Sequence, residues 1–243
     1  MKRIAFWMIH FGKEYLAWSV RSVQHAVDEL HFLYAPKPSH GHGTGAVCPE
    51  TEEELHAEAS RYADKPIHWH RGEWSSEGSH HDAIYPIAAA QGVGQLLRMD
   101  CDEIWDAAEV TRALDAHETM PHRALRVWML NWWRSFDWVC DDPCRPHRII
   151  NPAGVGVEAY LDTQLVPILH MGYAQSVRLL EYKMQVQSHH AERRPEWLGT
   201  KYRAWTPEGG PHVDLHPTCV GPPPNYFWHT RRVTDVERAL VDQ

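Results

Sequence analysis

No run of about 18 apolar residues occurs, so no membrane-spanning helix is expected. Met1-Lys-Arg3 is basic, but the apolar segment behind it, Ile4 to Phe11, is short and broken by His10, which does not fit a secretory signal. Cysteine is scarce. The five present are an odd number without framework spacing, a pattern that predicts reduced thiols and a cytoplasmic location. Cys140 and Cys144 with His147 would make half a zinc site, and no second Cys pair completes the four ligands. A basic excess is also missing, since the net charge is −8, which argues against a stand-alone nucleic-acid binder. Neither a Walker loop nor a dinucleotide fingerprint is present, and there is no internal repeat.

What is present suits one globular α/β domain. The chain has 243 residues, 43% hydrophobic and 23% charged, enough for a single well-cored unit. The expected organisation is a nucleotide-binding half over residues 1–118, an acceptor-side half over 119–205 and a C-terminal extension over 206–243. Charge divides unevenly between the halves. Residues 1–120 carry 10 Lys and Arg against 19 Asp and Glu, a net of −9, while residues 121–243 carry 14 against 13, a net of +1. The second half is rich in arginine (Arg134, Arg145, Arg148, Arg193, Arg194, Arg203), which suits planar contacts to phosphate and carboxylate. Trp128, Trp132, Trp133 and Trp138 cluster there, as core or as stacking faces for sugars or bases.

Periodicity sets the order of elements. Ile4–Ile9 reads as a buried strand, Glu14–Val27 as a helix with apolar Leu16, Val20, Val23 and Val27, and Leu30–Tyr34 as a second strand parallel to the first. A Pro- and Gly-rich loop runs from Pro36 to Gly45. A helix with an acidic first turn spans Pro49–Asp64. Pro66–His70 is a third strand, and His80–Gln91 is the next helix. A helix follows over Ala107–His117. Ala124–Trp133 reads as one alternating strand, Arg148–Pro152 as another with Cys140–Pro146 as the connection, and Ile168–Tyr173 as a further one. Helices over Ala174–His189 and Asp235–Val241 complete the chain.

One stretch organises this pattern: Gly94-Gln-Leu-Leu-Arg-Met-Asp-Cys-Asp-Glu-Ile-Trp-Asp106. An apolar run ends abruptly in acid, as a buried strand does where it opens into a cleft. Asp100 and Asp102 stand at i and i+2, so an extended strand places both carboxylates on one face. Two such groups repel unless a cation sits between them, and a hard divalent ion fits their oxygens.

Arg98-Met-Asp-Cys-Asp-Glu103 resembles the D-x-D-E segment of GT-A glycosyltransferases, especially family-2-like enzymes, and the flanking order of elements resembles that family over most of residues 4–205. The resemblance implies a GT-A-like, Rossmann-type, mostly parallel sheet with helices on both faces and a small mixed or antiparallel acceptor-side segment. It implies a metal-dependent glycosyltransferase in which Asp102, with Asp100 through the ribose or a water, holds Mn²⁺ or Mg²⁺ against the diphosphate of a nucleotide-sugar, a UDP-sugar being the expected donor. Ile168-Leu-His-Met-Gly-Tyr173 and the helix after it resemble the family's late segment, which gives His170 to the metal and Lys183 to the leaving group. By the same analogy His10, Phe11 and Tyr34 flank the nucleotide base, and His80, His81 and Asp82 stand where a donor contact is made. Asp137, Asp141 and Asp142 are candidate bases for the acceptor hydroxyl, with Glu103 nearer the motif. The acceptor is a saccharide, or else a hydroxymethylated base in DNA, which would have to be flipped out of a duplex. The alternatives are a nucleotidyltransferase on a similar sheet, disfavoured by the missing Gly-rich, Lys-anchored first loop, a two-carboxylate glycoside hydrolase, and a non-enzymatic nucleic-acid-binding module.

Overall fold

A computed structural model describes residues 1–39, 45–119, 124–141, 145–153, 158–160, 167–187, 190–218 and 229–241. The first half alternates strand and helix: β1 (Arg3–Ile9), α1 (Lys13–Val23), β2 (Glu29–Tyr34), α2 (Glu52–Ser60), β3 (Ile67–Arg71), α3 (Glu77–Asp82), α4 (Ile84–Ala90), β4 (Gln95–Met99), β5 (Glu103–Ile104) and α5 (Ala107–Glu118). The second half is strand-rich: β6 (Ala124–Arg126), β7 (Met129–Trp133), β8 (Trp138–Asp141), β9 (His147–Ile150), β10 (Glu158–Tyr160), β11 (Ile168–Tyr173), α6 (Val177–Val186), β12 (Thr230–Arg232) and α7 (Asp235–Val241).

The strands form two mixed sheets. The larger runs β10-β6-β9-β4-β1-β2-β3, with β4, β1, β2 and β3 mutually parallel and β9 antiparallel to β4. The smaller runs β12-β8-β7-β11-β5. Helices cover both faces of the larger sheet. Leu16, Val20 and Val23 of α1, Leu55 of α2 and Val110 and Leu114 of α5 pack on Trp7, Phe32, Leu97 and Met99. Ile84 and Ala88 of α4 pack on Ile4, Phe6, Leu33 and Leu96 on the other side. The expected α/β class, with a mostly parallel sheet and a second, mixed segment, is what the chain adopts.

Several boundaries differ from the periodicity. The stretch 124–133 is two strands in two sheets: β6 pairs with β9 and β10, while β7 pairs with β8 and β11. The chain crosses between the sheets at Val127 and Trp128, whose backbone bonds go to Pro146 and Ile168. Cys140 and Asp141 belong to β8 and are not a connection. The helix expected over 80–91 begins earlier, behind the Ser76 capping box, and breaks at Ala83 into α3 and α4. Pro86 lies in the first turn of α4, where its missing N–H costs nothing, whereas a continuous helix would set its ring against the preceding turn. The 174–189 helix shortens to α6, capped by the Ser176 side chain.

Four tryptophans of the second half, Trp132, Trp133, Trp197 and Trp205, are core, while Trp128 and Trp138 are half-buried. Trp133, Trp197 and Trp205 join Cys140, Tyr173, Leu180 and Tyr202 in one buried cluster, and Trp132 is fully buried beside Leu130 and Met171. Cys140 therefore packs as a small apolar residue, and Cys144 lies outside the described residues. Cys48 and Cys101 are free thiols. Among the described residues no helix is long and apolar enough to cross a membrane.

Candidate active site

The carboxyl ends of β1 and β4 open into a cavity of about 210 Å³. His10, Phe11 and Gly12 from the exit of β1 line one wall, and Asp100, Cys101 and Asp102 from the exit of β4 line the floor. The second sheet closes the opposite wall with His170 of β11, Gln175, and Lys183 of α6. Ser39, Glu77 and His80 complete it.

Asp102 is the electrostatic centre. Its Oδ2 accepts hydrogen bonds from Gln175 Nε2 at 2.7 Å and Lys183 Nζ at 3.2 Å. Its Oδ1 lies 3.5 Å from His170 Nε2. Burial alone would raise this carboxyl, but Lys183 and His170 outweigh it and hold the group well below the usual carboxylate range. The backbone is fastened as well, since the Met171 amide donates to the Asp102 carbonyl at 2.7 Å. Gly172 leaves room for this approach: a Cβ there would come within 2.5 Å of His170 Cε1 and 3.0 Å of Asp102 Oδ2.

Asp100 faces differently, contrary to the expectation from i, i+2 spacing. β4 ends at Met99, and Asp100–Glu103 form a turn closed by the Glu103 amide to the Asp100 carbonyl at 3.2 Å. The two carboxylates consequently meet different cations. Arg148 of β9 donates to Asp100 Oδ2 at 2.7 Å, and its guanidinium grips both oxygens of the fully buried Glu103. Burial tends to raise Asp100, and Arg148 with Arg98 brings it below its ordinary value. At Glu103 burial prevails over Arg148 and the carboxyl is raised. Repulsion between the two aspartates is thus relieved by the protein's own cations, and Glu103 is a structural anion out of reach of an acceptor.

Asp102 Oδ1 and His170 Nε2 are two cavity atoms that could hold a divalent ion, beside the Lys183 ammonium on the other carboxylate oxygen. His170 Nδ1 is engaged by Asn131 Oδ1, which as an acceptor places a proton on Nδ1 and orients Nε2 toward Asp102. One carboxylate oxygen and one imidazole nitrogen, 3.5 Å apart and facing one cavity, are positioned as neighbouring ligands.

The remaining predicted residues separate. His10 donates from Nδ1 to the Ala35 carbonyl at 2.7 Å, pairs through Nε2 with the Tyr182 hydroxyl at 2.6 Å, and stands on the cavity with Phe11. Tyr34 is buried beside Trp69 and does not line the cavity. His80 reaches it, with its ring stacked on Trp74 at 4.0 Å and its nitrogens on the Leu33 carbonyl and Ser39. His81 packs on Phe6 and is pushed down to about 4 by burial and the neighbouring Arg98, and Asp82 is exposed. Neither belongs to the lining. Asp137 is also exposed, pairs with Arg238 and is not on the cavity. The Asp141 side chain and the whole of Asp142 lie outside the described residues.

Sequence reasoning missed Gln175, Asn131 and Glu77, and named Arg148 only within an arginine-rich, polyanion-suited set. Of these only Glu77 had a local signal, as the acid in a helix's first turn. It is the cavity carboxylate that makes no ion pair among the described residues. The arginines of the second half are largely engaged within the fold. Arg134 donates to the Tyr202 and Trp205 carbonyls, Arg193 to Met184, Arg194 to Asp214 and Arg203 to Glu181. They do not form the open polyanion-binding face that composition suggested.

No protein-family model and no curated protein matches the sequence. Among solved structures the chain is similar to the 4-diphosphocytidyl-2C-methyl-D-erythritol synthase of Anaerococcus prevotii, with 8% identity and a TM-score of 0.43, over 79% of this chain and 99% of that one. GT-A membership is not confirmed by this distant likeness.

Proposed function

We propose that the protein is a transferase for a nucleoside-diphosphate-linked substrate, and that it moves a sugar from a nucleotide-sugar to a hydroxyl acceptor. The observation that supports this is the convergence of Asp102, His170 and Lys183, from three separate elements, on one cavity. Asp102 Oδ1 and His170 Nε2 would hold Mn²⁺ or Mg²⁺, and such an ion supplies Lewis-acid neutralisation of a departing diphosphate. Lys183 adds a positive charge from the protein side of the same group. His10 and Phe11 offer the nucleoside an aromatic wall. Glu77 takes the proton from the acceptor hydroxyl as that oxygen bonds to the sugar carbon and the carbon–diphosphate bond breaks. A saccharide is the favoured acceptor. The DNA reading is weakened because most second-half arginines already hold partners within the chain.

Nucleotidyl transfer is the second reading. It makes the same demands on Asp102 and Lys183, and the solved structure named above is a synthase of a diphosphocytidyl compound. Here a phosphate oxygen attacks the α-phosphorus of a nucleoside triphosphate and pyrophosphate leaves, with no hydroxyl to deprotonate. The first amides of α1 give this reading little help, because Gly12 and Lys13 already donate to Glu50 Oε2 at 2.6 and 3.0 Å.

The test is a thermal-shift panel of nucleoside di- and triphosphates with Mn²⁺ or EDTA, followed by product analysis. UDP or a UDP-sugar is expected to stabilise the protein only with the ion, and Asp102→Asn to abolish that dependence and lower turnover by about a hundredfold or more. Equal stabilisation in EDTA, or full activity of Asp102→Asn, would overturn the metal site. Release of pyrophosphate from a triphosphate, with no nucleoside diphosphate formed from a nucleotide-sugar, would favour the second reading.

A further inference from the structure

At the amino ends of β2 and β3, away from the cavity, four polar side chains meet on one sheet face. Alternate residues of a strand share a face, and the parallel register sets His31 opposite His68. Glu29, His31, His68 and His70 therefore stand together on the side otherwise covered by Phe6, Leu33 and Ile84. His31 is completely buried, with its ring centre 4.5 Å from that of His68 and 5.2 Å from that of His70. The Nε2 atoms of His31 and His68 lie 3.1 and 3.3 Å from the same oxygen, Glu29 Oε2. All three atoms fall within 4.8 Å of one another. His68 Nε2 is shielded from solvent, yet it is not aligned for a hydrogen bond with Glu29 or any other described group.

We propose that Glu29, His31 and His68 bind one borderline divalent transition-metal ion of the zinc class, with solvent at the fourth position. The donor set selects the ion. Two imidazole nitrogens and one carboxylate oxygen suit zinc, whereas Mg²⁺ and Ca²⁺ take oxygens. Zinc–nitrogen bonds of about 2.0–2.1 Å in a tetrahedron separate neighbouring ligand atoms by roughly 3.3 Å, a spacing that the 3.1 and 3.3 Å contacts to Glu29 Oε2 nearly match. Supports stand behind two of the ligands. Lys2 Nζ holds Glu29 Oε1 at 2.8 Å, and His70 Nε2 lies 3.1 Å from His31 Nδ1, ready to take its proton and leave Nε2 for the ion. The rings of His31 and His68 are stacked at 25°, so binding requires them to tip toward a common point. His68 has room to do this, because β3 is the edge strand of its sheet and the His68 side chain is 38% exposed. An ion here would clip that edge strand to β2. The site shares no residue with the Asp102 cluster, so neither reading depends on the other.

The experiment counts metal on the full chain carrying Asp102→Asn, stripped with EDTA, loaded with Zn²⁺ or Co²⁺ and desalted. About one equivalent of zinc is expected to remain in excess Mn²⁺, and the Co²⁺ form to show the visible absorption of a four-coordinate ion. His68→Gln and Glu29→Gln should each lose the equivalent, with the metal-free melting temperature of His68→Gln close to that of its parent. His70→Ala should retain binding that is about 10–100-fold weaker. Should His68→Gln fail to fold, Glu29→Gln carries the comparison. Absence of stoichiometric zinc in the parent, or zinc retained unchanged in the Gln variants, would refute the site.

Discussion

His170 presents Nε2 to Asp102 Oδ1 at 3.5 Å while its Nδ1 is engaged by Asn131, a fully buried residue of the neighbouring strand β7. The cavity-facing nitrogen thus has its direction fixed from behind. Asn131→Leu keeps a similar volume and removes that partner. Divalent-ion affinity should fall about 10–100-fold, read by free Mn²⁺ in an EPR titration. Unchanged affinity would show that the tautomer is set in another way.

Glu103 and Arg148 form a buried pair that also positions Asp100. Glu103→Ala leaves the guanidinium without its main anion in the interior and should cost about 3–5 kcal/mol in urea unfolding. Arg148→Met should cost less, because burial already raises Glu103 and a proton can replace the lost charge. The sign of its pH dependence follows. A carboxyl raised in the folded state contributes fully below the unfolded value, and the contribution is lost as pH rises through the folded value. Stability of Arg148→Met should therefore decline from pH 4 toward pH 7 relative to the parent. A flat difference across that range would count against a protonated Glu103.

Asp214 behaves in the opposite sense. Arg194 donates to it at 2.6 Å and Lys201 at 3.4 Å, and Arg194 is the first cause of its lowered value. A depressed carboxyl stabilises above the unfolded value and loses the contribution as pH falls through the folded one. The stability difference between the parent and Asp214→Asn should be present at pH 6 and fade below about pH 4. Partial exposure keeps it small. Chemical unfolding at pH 6 and pH 3 measures both points.

Gly12 has φ of +118°, and a Cβ there would lie 2.8 Å from Cys101 Cβ. Gly12→Ala combines an unfavourable backbone region with an overlap at the cavity floor. The expected loss exceeds about 1 kcal/mol, together with weaker nucleotide binding. A melting temperature equal to the parent's would mean that β1 and the Asp100 turn can part without cost.

The parallel core was legible because its strands are buried on both faces and read as apolar runs, as in Ile4–Ile9 and Leu30–Tyr34. His170 was legible from Gly172-Tyr173 and the family likeness, and it does meet Asp102. Other features depend on distance along the chain. Arg148 joins residues 45 and 48 positions away and carries no local pattern. The alternation over 124–133 marks extended chain but cannot say that β6 and β7 enter different sheets. Strand logic placed Asp100 and Asp102 on one face, and the turn that ends β4 turned them to separate partners. Tryptophan and arginine counts suggested a binding face, where the chain uses both types to build its second core and fasten its loops.

The bond from the Met171 amide to the Asp102 carbonyl carries the β11–β5 ladder of the smaller sheet into the turn that leaves β4. Any withdrawal of β11 from the Asp100–Glu103 turn must break it, so the exchange of this single amide proton with solvent records how often the site comes apart. Bound ligand that bridges Asp102 and His170 should slow that exchange, giving a measure of occupancy at the backbone which needs no knowledge of the acceptor.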